Sequence, residues 1–296
     1  MSPVKKKAPP VKSKLSNAKP KKKIAAKAVP KSTPNLPTRS GQALKPKIVL
    51  FSPEIRVYPT AQLLFEETAP YVMKVAREAA DARGRFVLAL SGGTTPKGLF
   101  QQLTEEPYLS LMPWAKTFVF WVDERHVPLT DATSNYRMAL EGLLSKTPIP
   151  KANIFPMTDG KETAERAASV YEIKLGKFFG TGSVPRFDLS LMGMGDDGHT
   201  ASLFPGFPQV NELERWVVGY FVDNERKERV SLTFPVLNAS RVLLVLVEGK
   251  KKAERLKDVL EGSSAPPRYP VQYLRPTDGK LIFAMDSAAA SLLKKK

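Results

Sequence analysis

From Lys47 onward, short runs of β-branched and aromatic residues alternate with longer stretches of helical periodicity. That alternation restricts the chain to α/β architecture with a mainly parallel sheet. Runs such as Val242–Val247 are apolar without interruption, as expected where helices cover both faces of a sheet and no strand face meets water. Strands are predicted at residues 47–51, 85–90, 117–122, 187–192, 216–221, 230–234, 242–247 and 281–285, and helices at 60–82, 96–103, 161–179 and 250–260. In the third of these helices Ala164, Ala168, Tyr171, Leu175 and Phe178 recur at spacings of three and four, so they form one buried stripe. No internal repeat and no second low-complexity stretch follows residue 47, and residues 47–296 are expected to form a single domain.

The formal net charge of +17 points to nucleic acid or an acidic surface until its distribution is read. Residues 1–47 hold thirteen lysines and Arg39 with no Asp or Glu, which leaves 32 basic against 29 acidic residues in the remainder. The body is nearly neutral. The same tail holds eight prolines and almost no large apolar side chains. It cannot bury enough surface to offset the entropy of ordering, so residues 1–46 are expected to be a disordered basic tail. Two roles suit such a tail: non-specific attraction to nucleic acid through phosphate neutralisation, or plain solubilisation, since it has no base-reading element. It lacks the apolar h-region of an export signal and the Arg-rich amphipathic character of a mitochondrial presequence, so a cytoplasmic location is expected, with a plastid address left open. No apolar run reaches eighteen residues, which argues against a membrane span, and the absence of cysteine removes disulfides, thiolate nucleophiles and cysteine–zinc sites. A monomer and a small homo-oligomer fit equally.

In open α/β sheets the ligand sits beyond the carboxyl ends of the strands, and three loops there carry chemistry. The first reads Ser91-Gly92-Gly93-Thr94-Thr95-Pro96. Its glycines permit close backbone approach, Thr95 is placed to cap the helix, and Pro96 suits a first-turn position. Free amides at that helix start favour an anion, with the Ser91 and Thr94 hydroxyls as further donors. The second loop reads Asp123-Glu124-Arg125-His126-Val127-Pro128, followed by Ser134-Asn135-Tyr136. Asp123 is suited to orienting a water or a sugar hydroxyl, and Arg125 offers a planar fork for phosphate. Taken alone, these charges read more readily as a surface ion-pair cluster, and only the company of the other loops reverses that.

The third loop runs from Gly193 to Pro205 as G-M-G-D-D-G-H-T-A-S-L-F-P. It contains G-x-G-x-x-G, yet no helix and acid-ended strand follow, and two aspartates would repel a pyrophosphate, so nicotinamide binding is rejected. His199 and His126 are the only histidines. His199, two residues from Asp197, is the natural general base. Two histidines do not make a catalytic zinc site, and no G-x-S-x-G elbow is present, so water is the expected nucleophile and neither metal nor organic cofactor is called for.

Together the three loops resemble the 6-phosphogluconolactonase family, whose patterns S-G-G-[ST]-T-P, D-E-R-x-V-P with S-N-Y, and G-M-G-x-D-G-H-T-A-S-L-F-P stand here in order. The likeness runs from about residue 54 to Leu293 and leaves the tail outside. It implies a modified Rossmann-like, three-layer α/β/α fold shared with glucosamine-6-phosphate deaminases. It also implies hydrolysis of 6-phosphoglucono-1,5-lactone in the oxidative pentose phosphate pathway. In the deaminase pattern an acidic residue follows the histidine by five places; here that position is Phe204, which favours the lactonase.

Residues 229–233 resemble the family's R-I-T-L-T strand, and residues 249–253 its G-x-x-K-A segment, which implies that Arg229 binds substrate and that Lys252 reaches the phosphate. The prolines common before that strand are replaced by residues 224–228, Asn-Glu-Arg-Lys-Glu. The resulting expectation assigns His199, Asp197 and Asp123 to catalysis. Ser91, Gly92, Gly93, Thr94, Thr95, Arg125, Asn135, Arg229 and Lys252 are assigned to binding a sugar-phosphate lactone.

Overall fold

Residues 51–294 are described by the computed structural model of the protein, so the expected basic tail and residues 47–50 lie outside the described residues. In chain order the strands are β1 Glu54–Tyr58, β2 Phe86–Leu90, β3 Thr117–Trp121, β4 Asp123–Arg125, β5 Leu189–Gly193, β6 Val217–Asp223, β7 Lys227–Leu232, β8 Val242–Val247 and β9 Lys280–Asp286. The helices are α1 Ala61–Arg83, α2 Thr95–Leu103, α3 Tyr108–Leu111, α4 Asn135–Gly142, α5 Ala164–Phe179, α6 Phe234–Asn238 and α7 Ala253–Glu261. Six strands form one all-parallel sheet in the order β1-β9-β8-β5-β2-β3. Every residue of β2 and β8 is buried, as their unbroken apolar sequences require when both sheet faces are covered.

Local chemistry sets the helix ends. The Thr60 hydroxyl accepts the Leu63 amide at 3.1 Å to start α1, and Gly84 at φ 70° ends it in the left-handed region. Thr163 caps α5 in the same way, and the helix begins at Ala164, three residues later than expected from periodicity. Its stripe of Ala164, Ala168, Tyr171 and Leu175 is buried as predicted. Phe178 is partly buried and meets Phe118, Phe120 and Phe155 with ring centroids 5.0–5.5 Å apart. The segment 250–252, expected in a helix, is a 3₁₀ turn that leads into α7.

The edge of the sheet departs from expectation. The strand anticipated at 47–51 does not include Phe51, and the edge position belongs to Glu-Ile-Arg-Val-Tyr of β1, whose charged and half-exposed residues suit a sheet margin. The runs at 216–221 and 230–234 are strands or border them, but they build a second, antiparallel sheet in the order β4-β7-β6. Phe234 has left the strand and opens α6, where Pro235 fits the first turn.

This second sheet positions the chemistry. The Val122 amide donates to Leu90 O at 2.9 Å, and the Leu232 amide donates to Val122 O at 2.8 Å. The chain therefore leaves the large sheet at the end of β3 and enters the small one one residue later. Asp123, Glu124 and Arg125 are thereby carried across the carboxyl ends of the parallel strands.

Candidate active site

Ser91 follows the buried strand β2 and is itself 4% exposed, yet its Oγ makes no hydrogen bond. A buried hydroxyl without a partner is uncommon, and Ser91 lines the same cavity as His199. At Gly92 an added Cβ would fall 1.7 Å from Asn135 Oδ1, so only glycine lets the first loop and the start of α4 touch. The capping expected of Thr95 is not seen. Thr95 is already the first residue of α2, Thr94 holds the cap position without a side-chain bond, and Pro96 in the first turn removes one amide that a cap would have met. The amides of Gly92 and Gly93 bond to no backbone carbonyl, and both residues line one cavity with His199.

Asp123 and Glu124 of the second loop are buried and Arg125 is half-buried, which excludes a solvated ion-pair cluster at these positions. Asp123 is 8% exposed; its Oδ2 accepts the Ser202 hydroxyl at 2.7 Å, while its backbone carbonyl accepts Asn135 Nδ2 at 2.9 Å. Arg125 donates through Nη1 to Asn135 Oδ1 at 2.7 Å and to Thr133 O at 2.8 Å. Arg229 lies directly opposite Arg125 in the β4–β7 pairing. Like charges on one sheet face repel, and neither guanidinium forms an ion pair among the described residues. Burial lowers the Arg229 pKa, with Arg125 adding to the effect and Asp123 opposing it. An anion between the two forks would relieve that repulsion.

Glu124 was not singled out by its sequence. It is 1% exposed; Oε1 accepts the amides of Arg125 and Asn135 at 2.8 and 2.7 Å, and Oε2 accepts the Tyr136 amide at 2.8 Å and the Ser134 hydroxyl at 3.1 Å. The carboxylate thus gathers the first turn of α4 and sets Asn135, which in turn holds Asp123 and Arg125. Burial pushes its pKa up to about 7, against the pull of those three amides. A folded-state value above the ordinary 4.5 means that the native protein holds a proton the unfolded chain has released, so stability falls as pH rises from about 4.5 through 7. Glu124→Gln is expected to flatten that decline in thermal melts taken across the same interval. It should also cost about 1–3 kcal/mol, because an amide NH₂ must then face backbone donors.

In the third loop the His199 Nδ1–H donates to Asp197 Oδ1 at 2.5 Å, and the same oxygen accepts the His199 amide at 3.0 Å. Burial would raise the Asp197 pKa, but the hydrogen bonds and charge of His199, with Arg226, outweigh it and hold the carboxyl at about 2. An ionised Asp197 fixes the proton on Nδ1 and leaves the Nε2 lone pair free, because Nε2 bonds to no described residue. Phe204 backs the ring at 4.4 Å between centroids. Arg226, on the β6–β7 hairpin, stacks over Phe204 at 4.6 Å and lies 3.6 Å from Asp197 Oδ2. Nothing in the local sequence of Arg226 signals this role, since only the hairpin brings it there.

One cavity of about 160 Å³ unites the three loops, lined by Ser91, Gly92 and Gly93 from the first, Asp123, Arg125 and Asn135 from the second, and residues 193–195, His199 and Ala201 from the third. Of the remaining expected site residues, Asp197 stands behind His199, and Thr94, Thr95 and Arg229 lie outside the cavity lining. Lys252 is also outside it. Its Nζ donates to Met194 O at 2.9 Å and Asp196 Oδ1 at 2.5 Å, so in this structure it braces the third loop. His126 is occupied by Thr158 Oγ1 at 2.8 Å and by Glu162 O, away from the cavity. Among the described residues no three His, Cys, Asp or Glu side chains gather to hold a metal ion, and no helix is long and apolar enough to cross a membrane.

Known proteins resemble this chain over most of its length. A rice protein (Oryza sativa subsp. indica) named probable 6-phosphogluconolactonase 3, chloroplastic, is 41% identical over 248 residues, covering 80% of this chain and 75% of its own. The 6-phosphogluconolactonase of Synechocystis sp. is 37% identical over 246 residues, covering 82% and 99%. The solved structure of 6-phosphogluconolactonase from Trypanosoma brucei superposes with a TM-score of 0.73 at 28% identity, covering 82% of this chain and all of that one. The family pattern described as glucosamine-6-phosphate isomerases/6-phosphogluconolactonase matches residues 59–283, three quarters of the sequence, and the chain belongs to that family.

Proposed function

We propose that this chain hydrolyses 6-phosphoglucono-1,5-lactone to 6-phosphogluconate, the lactone-opening step of the oxidative pentose phosphate pathway. The observation that carries the reading is the shared cavity, in which an imidazole with a free Nε2 meets an unsatisfied hydroxyl and the glycine-turn amides. The substrate's phosphate sits on the Gly92 and Gly93 amides, the Ser91 hydroxyl and Arg125, with Arg229 adding charge from the neighbouring strand. Anchoring at that end converts binding energy into orientation of the ester carbonyl beside His199. His199 Nε2 takes a proton from the attacking water as the C–O bond forms, and returns it to the ring oxygen as the ester bond breaks. The amides of Gly195, Gly198 and His199 are already bonded inside their loop, so the donors that meet the developing oxyanion lie outside those three. Asp123, fixed by Ser202 and Asn135, orients the sugar hydroxyls.

A deaminase needs an acidic group near the histidine for ring opening, and the position five residues after His199 is the buried Phe204, packed on the imidazole itself. The deciding measurement is turnover of the lactone by the purified protein against the spontaneous background rate. Ammonia release from glucosamine 6-phosphate with no lactone opening would reverse the assignment. The catalytic unit in this proposal is residues 47–296, and its compartment is the cytosol, although the plastid location in the rice relative's name makes a plastid address the alternative. Imaging of a fluorescent fusion separates the two.

A further inference from the structure

At the opposite end of the parallel sheet, four arginines converge where three adjacent strands begin. Arg83 closes α1, Arg85 immediately precedes β2, Arg186 precedes β5 and Arg241 precedes β8, and the sheet order places β8, β5 and β2 side by side. They line a cavity of about 190 Å³, with Phe179 and Val184 forming an apolar wall. Five residues of strand separate this edge from the catalytic loops, about 16 Å at the usual rise per residue.

The obvious structural task for these arginines is to neutralise the buried Asp188, but that needs only one of them. Arg83 grips Asp188 Oδ1 through Nε at 3.0 Å and Nη2 at 2.8 Å, and the Val87 amide fills Oδ2 at 2.8 Å. Arg241 approaches the already occupied Oδ1 only to 3.4 Å. Arg186 pairs at 3.0 Å with Asp278, a carboxylate that is 88% exposed, and its own Nε is buried without any hydrogen-bond partner. Arg85 lies 4.5 Å over the Phe178 ring and pairs with no carboxylate among the described residues. The C-terminal ends of α1 and α5 add about half a negative charge each, which still leaves the cavity positive. Burial lowers the Arg241 pKa, and the nearby Arg186 and Arg83 lower it further, as expected for cations crowded without enough counter-charge.

We propose that this arginine cavity is a second anion site, distinct from the catalytic pocket, which binds a phosphate monoester or pyrophosphate group. Tetrahedral phosphate oxygens match the planar guanidinium forks, and the buried Nε of Arg186 gains the partner it lacks. The apolar wall accommodates the carbon portion of a phosphorylated metabolite.

The test is a two-dimensional NMR titration of the full-length protein with inorganic pyrophosphate, and with inorganic phosphate as the smaller probe. The arginine Nε–Hε signals and the Gly92 and Gly93 amides are followed separately. Saturable shifts are expected at Arg186 and Arg241. Arg85→Gln combined with Arg241→Gln should weaken the response at Arg186 by about a hundredfold, at about tenfold per charged hydrogen-bonding group, while Gly92 and Gly93 respond as in the parent. Arg83 stays in place in this variant to keep Asp188 paired, and an unchanged melting temperature verifies its fold. Shifts confined to Gly92 and Gly93, or equal affinity of parent and double variant at the arginine signals, would overturn the proposal. Neither outcome depends on lactone turnover, so the second site and the proposed reaction stand or fall separately.

Discussion

Replacing His199 with alanine is expected to lower lactone turnover by about 10²–10⁴-fold, the usual contribution of a positioned general base, while the protein stays folded. The loss should appear in kcat rather than in KM, because the phosphate anchors of the first and second loops are untouched. Asp197→Asn should cost less than His199→Ala: the imidazole survives, but the ionised carboxylate that holds its proton on Nδ1 does not. The double variant should then be no slower than His199→Ala alone, since a residue that works only through the imidazole has nothing to orient once the ring is gone. Steady-state rates corrected for spontaneous opening, with circular dichroism as the fold control, measure all three. Full activity in His199→Ala would remove the base from the mechanism.

The stronger parts of this site were legible because each rests on local grammar. Glycines after a buried strand announce a loop that approaches a ligand, and a histidine two residues from an aspartate announces a paired imidazole. The cavity joins both of these to Asp123 and Arg125. Glu124 escaped notice for a physical reason: its function is to bind a hydroxyl and two amides ten to twelve residues away, and a carboxylate between Asp and Arg looks like one more surface charge. Arg226 was equally hidden, because its approach to Asp197 depends on a hairpin whose second strand starts with Lys227, Glu228 and Arg229. Those charged residues gave no strand signal.

The same logic explains the fold. Strands buried on both faces, such as β2 and β8, are readable from apolar continuity, whereas β1 is an edge strand and the first half of β7 is exposed or half-buried, so polar side chains are tolerated in both. That β6 and β7 pair with β4 in a separate sheet depends on the backbone bond from Leu232 to Val122, a contact 110 residues apart in the chain. Lys252 marks the limit of carrying a role across by resemblance. The residue type is present, but its ammonium is engaged by Asp196 and Met194 O of the third loop and stands outside the cavity lining.

Gly195→Ala separates the geometry of the site from its composition. A Cβ at this position would lie 2.0 Å from His199 Nδ1, 2.2 Å from its Cε1 and 2.8 Å from Asp197 Oδ1. The backbone of Gly195 is not in the left-handed region, so the loop itself tolerates alanine and the conflict falls on the two side chains. The His199 ring is about a quarter exposed and can swing away, which keeps the cost in stability small. Catalysis has no such freedom. Displacing a general base by about 1 Å costs on the order of a hundredfold, and the ring must also give up the hydrogen bond that sets its tautomer. Turnover should therefore drop by about a hundredfold or more with all catalytic side chains present and the melting temperature nearly unchanged. Without the imidazole beside it, the Asp197 carboxyl should climb from about 2 back toward the ordinary aspartate range, which a carboxyl-carbon NMR titration reads directly. Gly182→Ala, where an added Cβ meets nothing within 4 Å, is the control and should leave both readings as they are.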